Sequence, residues 1–137
     1  MKIVSACLAG IKCRYDGTAK PNKKVIDLIK KGKAIPICPE QLGGLSTPRI
    51  PAETKNGRIV RKDGKDITAY FIKGAKEALK IAKMAGCKEA ILKSKSPSCG
   101  VDYIYDGSFS GKLKKGDGIF TKLLKRNKIK CITAEEI

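Results

Sequence analysis

Short apolar runs alternate with longer amphipathic stretches along the chain, and glycines, prolines or capping side chains punctuate them. Residues 2–6 (Lys-Ile-Val-Ser-Ala) have the β-branched centre of a short buried strand. Asn22 is placed to cap a helix over 23–31, with Val25, Ile26, Leu28 and Ile29 as its core face and Gly32 as its stop. Residues 34–37 (Ala-Ile-Pro-Ile) predict a second strand, at an edge because Pro36 cannot donate to a ladder. Residues 38–53 are rich in Pro and Gly and too long for an ordinary connector, which marks a functional loop. A strand over 58–61 faces the Asp63-Gly64 turn as a hairpin-like insertion. Asp66 then caps the longest helix, 67–85, in which Ala75, Ala78, Leu79 and Ala82 recur at helical spacing before Gly86. A third strand follows at 89–92, a loop at 93–100 and a less regular segment to Gly116. Asp117 is placed to cap a last helix ending near Arg126, and 130–133 is the final strand.

Strands alternating with helices imply βαβ units around a mainly parallel sheet. Right-handed crossovers make this a small doubly wound, Rossmann-like α/β fold. The irregular Pro/Gly-rich loop and the hairpin-like piece interrupt it. At 137 residues the chain is the size of one domain, 1–137, large enough to fold without a metal or disulfide.

Composition narrows the chemistry. Apolar residues at 42% and charged residues at 31% describe a globular chain, with no apolar run long enough to span a membrane. The N-terminus reads as a core strand rather than a leader, which implies a cytoplasmic protein. A net charge of +17 favours polyanions, but 5% aromatics and no Trp leave few platforms for stacking single-stranded bases. Histidine is absent, which excludes Ser-His-Asp and Cys-His catalysis and every His-containing zinc site. Acid–base work near neutral pH falls to carboxylates, thiols or metal-bound groups.

The six cysteines matter most. Open α/β sheets bind ligands outside the carboxyl ends of their strands. Cys7 follows the first predicted strand, Cys38 the second, and Cys99 lies in the loop after the third. Converging at one sheet edge, they would form a soft metal site with one open position, suited to zinc or an iron–sulfur cluster. Separate burial of each thiol is the plainer alternative. Cys87, at a helix end, and Cys131, inside a strand, read as packing residues. Cys13 shares a loop with Cys7 and reads either as a ligand or as a thiol beside one.

Five ordered blocks then carry a resemblance: 5–10 (Ser-Ala-Cys-Leu-Ala-Gly), 13–17 (Cys-Arg-Tyr-Asp-Gly), 38–40 (Cys-Pro-Glu), 43–49 (Gly-Gly-Leu-Ser-Thr-Pro-Arg) and 96–100 (Ser-Pro-Ser-Cys-Gly). Together they resemble the signature of the thiouracil desulfurase family, over about the first hundred residues. The resemblance implies removal of sulfur from a thiolated pyrimidine such as 2-thiouracil, or from 2-thiouridine in tRNA, at a 4Fe-4S cluster. It assigns the cluster ligands to Cys7, Cys38 and Cys99, and the catalytic partners to Glu40 and Ser96.

On that assignment Glu40 deprotonates water or relays a proton, and Ser96 hydrogen-bonds the base or positions water. The plainer readings are a salt bridge to a lysine for Glu40 and a turn residue for Ser96. Gly43-Gly44 would let the backbone approach a flat heterocycle, along which Tyr15 packs. Arg14, Asp16 and Arg49 would fix loops or a polar substrate edge, or form an internal Arg–Asp pair. From another functional class, a non-catalytic metal or redox protein that binds nucleic acid is the alternative.

Overall fold

The computed structural model describes residues 1–137. Four strands, β1 (Lys2–Ser5), β2 (Ala34–Ile37), β5 (Glu89–Leu92) and β8 (Lys130–Thr133), form one parallel sheet in the order β2-β1-β5-β8. This is the expected Rossmann-like α/β architecture. β2 lies at an edge, so the missing N–H of Pro36 interrupts no ladder on its outer side. Between these strands run the helices α1 (Lys23–Lys30), α3 (Thr68–Met84) and α4 (Ile119–Arg126), with the single-turn α2 (Pro39–Leu42) directly after β2.

Both faces of the sheet are covered, and the strands show why. Ile3, Ala90 and Leu92 point into the cluster built with Ala75, Ala78 and Ala82 of α3 and Phe120 and Leu124 of α4. The alternate positions Val4 and Ile91 pack on the other face with Val25 of α1. Ile3, Val4, Ile91 and Leu92 are almost wholly shielded from water, each contributing about 1.5–3 kcal/mol by that burial. No helix is long and apolar enough to cross a membrane.

Two antiparallel hairpins decorate this frame. β3 (Ala52–Lys55) pairs with β4 (Arg58–Arg61), and β6 (Tyr103–Tyr105) pairs with β7 (Leu113–Lys115). The predicted loop over 38–53 therefore contains α2 and the start of β3, and the irregular segment before Gly116 is a second hairpin.

Helix starts differ from expectation in two places. Asn22 caps α1, its side chain accepting the Val25 N–H at 3.2 Å. Asp66 accepts the Thr68 N–H at 2.9 Å, although Ile67 is the residue that precedes the helix. Asp117 does not cap α4; it accepts from the Asp102 N–H and binds Lys125, while Gly118 precedes the helix. The first N–H groups of α4 go to the Cys99 loop instead. Ile119 donates to the Pro97 carbonyl at 2.9 Å, and Phe120 donates to that of Ser98 at 3.0 Å.

Candidate active site

Parallel pairing in register brings the carboxyl ends of β1, β2 and β5 to one rim, with Ser5 opposite Ile37. Strand order reverses between β1 and β5, the position where open sheets form their crevice. Three loops leave that rim. A 3-10 turn, Ala6–Ala9, carries Cys7 and closes on Gly10 at φ +89. α2 begins immediately after Cys38, with Pro39 in the first turn where its missing N–H has no intrahelical partner to lose. The third is a turn built by Ser96, whose Oγ accepts the N–H groups of Ser98 at 3.2 Å and Cys99 at 2.7 Å. Ser5 anchors its approach by accepting the Lys93 N–H at 2.9 Å.

These loops surround a cavity of about 380 Å³ lined by Cys7, Cys13, Cys38, Cys99, Glu40 and Ser96, among others. The three expected ligands, the two expected catalytic residues and Cys13 thus line one cavity, whereas Asp16, Gly43 and Gly44 do not. None of the cysteines is disulfide-bonded. Cys13 lies between two other thiols, Cys7 and Cys38, and its backbone carbonyl accepts the Cys38 S–H at 4.0 Å. The neighbouring Cys13 thiol holds Cys7 below the ordinary thiol range against the opposing effect of burial, with help from the Lys93 cation. Cys38, bonded to Cys13 and buried, is driven well above that range. Burial pushes Cys99 up to about 12. Cys13 is lowered by the Cys38 thiol beside it, raised by that of Cys7 and by burial, and stands at about 11.

No three Cys, Asp or Glu side chains close on a point tight enough for a single metal ion. Thiols spread around a cavity suit the donor set that a polynuclear cluster would need, in which different irons take different sulfurs.

Glu40 faces the same space from α2. Burial raises its carboxyl above the ordinary range, while the Arg49 guanidinium in a salt bridge 3.3 Å away pulls it down. Its salt-bridge partner is therefore an arginine and not a lysine. The Arg49 guanidinium also donates to the Cys13 carbonyl at 3.0 Å and to the Ser46 carbonyl at 3.1 Å, tying the first two loops together. Arg14 and Asp16 do not pair; each hydrogen-bonds Thr18, closing the loop behind Cys13.

Gly43 serves a different purpose from the one expected. A Cβ there would lie 2.0 Å from the Tyr70 carbonyl oxygen, and one on Gly74 would lie 1.8 Å from that of Pro39. Its bareness therefore lets α2 press against α3, fixing Cys38 and Glu40 between them, rather than admitting a heterocycle.

A profile of the 2-thiouracil desulfurase family matches residues 3–136. The chain belongs to the 2-thiouracil desulfurase family. Within reach of this desulfurase sequence stands YbbK of Bacillus subtilis (strain 168), described as an uncharacterized protein. It is 42% identical over 147 aligned positions, which cover 100% of this chain and 97% of YbbK. A solved structure, the [4Fe-4S]-dependent thiouracil desulfidase TudS, superposes with a TM-score of 0.94 at 42% identity, covering 98% of this chain and 91% of that one. The fold and its family are thereby established.

Sequence reasoning missed other residues of the cavity, notably Glu53 on β3 and Tyr105 and Phe109 on the second hairpin. The available signal was Phe109 itself, a lone aromatic in the Gly-Ser-Phe-Ser-Gly run at 107–111, outside any core periodicity.

Proposed function

We propose that this desulfurase converts 2-thiouracil to uracil with a 4Fe-4S cluster held by Cys7, Cys38 and Cys99. The observation that carries the reading is the meeting of these thiols with Glu40 and Ser96 around one cavity. The net change, thiouracil plus water giving uracil plus hydrogen sulfide, is balanced without an oxidant or reductant. When bound, such a cluster offers an iron without a protein ligand as a Lewis acid for sulfur.

The chain supplies the remainder. Glu40, with its carboxyl raised by burial, accepts a proton from water at the pyrimidine carbon and returns one to the departing sulfur. Arg49 keeps that carboxylate oriented. The Ser96 oxygen already accepts two backbone N–H groups, so its own hydrogen is free to donate into the cavity. Ser96 therefore combines a substrate contact with the turn that aims Cys99.

Membership of a desulfurase family favours an enzyme over a non-catalytic redox or nucleic-acid-binding protein. The charge of +17 supports a second reading, action on 2-thiouridine within tRNA. Anaerobic reconstitution followed by sulfide release from free 2-thiouracil and from thiolated tRNA, at matched salt, tests both. Release from the free base with about four irons bound per chain is expected. Release from tRNA alone would overturn the first choice, and a colourless zinc protein would overturn both.

A further inference from the structure

The loop between β6 and β7 takes no part in the proposed chemistry. It is held unusually firmly for a surface turn. The Asp106 N–H donates to the Lys112 carbonyl at 3.0 Å, closing the loop, and the Asp106 carboxylate accepts the Ser108 N–H at 2.9 Å. Glu53, buried on β3 at 9% exposure, accepts the N–H groups of both Gly107 and Phe109 on one oxygen, each at 3.0 Å. Lys114 adds a bond to the Thr54 carbonyl at 2.9 Å, so the second hairpin is fastened to the first.

The approach of loop to strand is close. A Cβ on Gly107, at φ +97, would lie 2.9 Å from the Thr54 carbonyl oxygen. Phe109 itself has a φ of +54, a conformation that a bulky side chain rarely adopts. Such strain persists only where surroundings impose it, and here the two bonds to Glu53 do so. The result puts an aromatic ring on the cavity wall, where Glu53 and Phe109 are both lining residues. A half-buried phenyl group with no place in any of the three apolar clusters of the core is not there for packing.

We propose that Phe109 is the stacking platform for the pyrimidine ring of the substrate, and that Glu53 is the positioning residue that holds it there. The inference rests on the desulfurase reading above. A planar heterocycle in a cavity with a rigid aromatic wall gains stacking energy that does not depend on which atom carries the sulfur. Because the loop is already fastened, little ordering is left to oppose binding. Phe109 thus sets affinity for flat pyrimidines, while Glu40 and Ser96 act on the reacting carbon.

The test uses the anaerobically reconstituted enzyme with 2-thiouracil as substrate and uracil as a non-reacting ligand in calorimetry. Phe109→Ala should raise KM and weaken uracil binding by roughly 5- to 100-fold, with kcat and the cluster absorbance little changed. Phe109→Tyr should restore both constants. Phe109→Leu, which keeps bulk without a π face, should stay close to the alanine variant. Glu53→Ala should reproduce the KM defect without touching the substrate, and Glu53→Gln, which still accepts both N–H groups, should recover it. Wild-type KM and uracil affinity in Phe109→Ala, or in Phe109→Leu, would overturn the stacking role while leaving the desulfurase reading intact. A wild-type enzyme that releases no sulfide from 2-thiouracil would overturn that reading and this inference with it.

Discussion

The six cysteines divide into two populations at different places on the sheet. Cys7, Cys13, Cys38 and Cys99 crowd the carboxyl rim, where charge or hydrogen bonding links each to another thiol. Cys87 and Cys131 have no thiol neighbour. Cys87 sits among apolar side chains beside α3, and Cys131 lies within β8 with its Sγ 3.5 Å from the Ile129 carbonyl. Both are raised above the ordinary thiol range by burial, Cys131 to about 11. The residue type is the same; the strand end decides its use. At the rim, loops leave the sheet and side chains can converge, whereas within the layers each side chain meets only packing partners.

Serine replacement breaks this comparison most directly. Cys7→Ser, Cys38→Ser or Cys99→Ser should each remove stable cluster binding, read as loss of iron and of visible absorbance, because a hydroxyl is a poor substitute for a soft thiolate. Cys13→Ser should retain the cluster. Loss of iron in Cys13→Ser with retention in Cys7→Ser would reassign the ligands.

Next in size is Glu40→Gln, which keeps shape and removes a proton acceptor. Turnover should fall by about 10²–10⁴-fold with the absorbance unchanged. Near-full activity with an intact cluster would take Glu40 out of the mechanism. Ser96→Ala should cost less in turnover. It should also lower the unfolding midpoint, since the Ser98 and Cys99 N–H groups lose their acceptor.

A pH profile gives a smaller and more diagnostic change. A base works deprotonated, and burial raises the Glu40 carboxyl. Activity should therefore be lost as pH falls through a value above the ordinary glutamate pKa of about 4.3. Arg49→Gln removes the cation that pulls the carboxyl down, so the acid limb of kcat/KM should move to higher pH. An unmoved limb would assign it to another group. Smallest of all, Cys87→Ser should leave iron content untouched and lower stability by about 1–3 kcal/mol, from a buried hydroxyl without a partner.

Much of this was legible in the chain, and what was not has physical reasons. The four sheet strands are apolar runs between amphipathic helices, so their periodicity announces them. The rim cysteines follow from parallel topology. β6 and β7 are hidden because each has three residues, and the Leu-Lys-Lys of β7 offers no buried face to read. α2 is one turn long, too short for periodicity, with Pro39 its single signal. Asp117 misled because a carboxylate before a helix resembles a cap, while the Cys99 loop supplies the α4 acceptors. Arg49 was visible as a cation, but its grip on the Cys13 carbonyl spans 36 positions that only the fold brings together.

The two apolar layers cover both faces of the sheet and reach the rim itself, with Cys99 in one and Cys7 and Cys13 in the other. Ile3, Leu92 and Phe120 on one side and Val4, Val25 and Ile91 on the other are buried by the chain alone. Loops that carry the thiols are backed by hydrogen bonds to their own neighbours, as at Ser96 and Gly10. A chain built this way is expected to fold before it receives its inorganic cargo, unlike small metal domains that collapse only around their ion, and an unfolded iron-free protein by circular dichroism would overturn this. Loss of the cargo would then leave an intact receptacle, ready to be refilled rather than resynthesised.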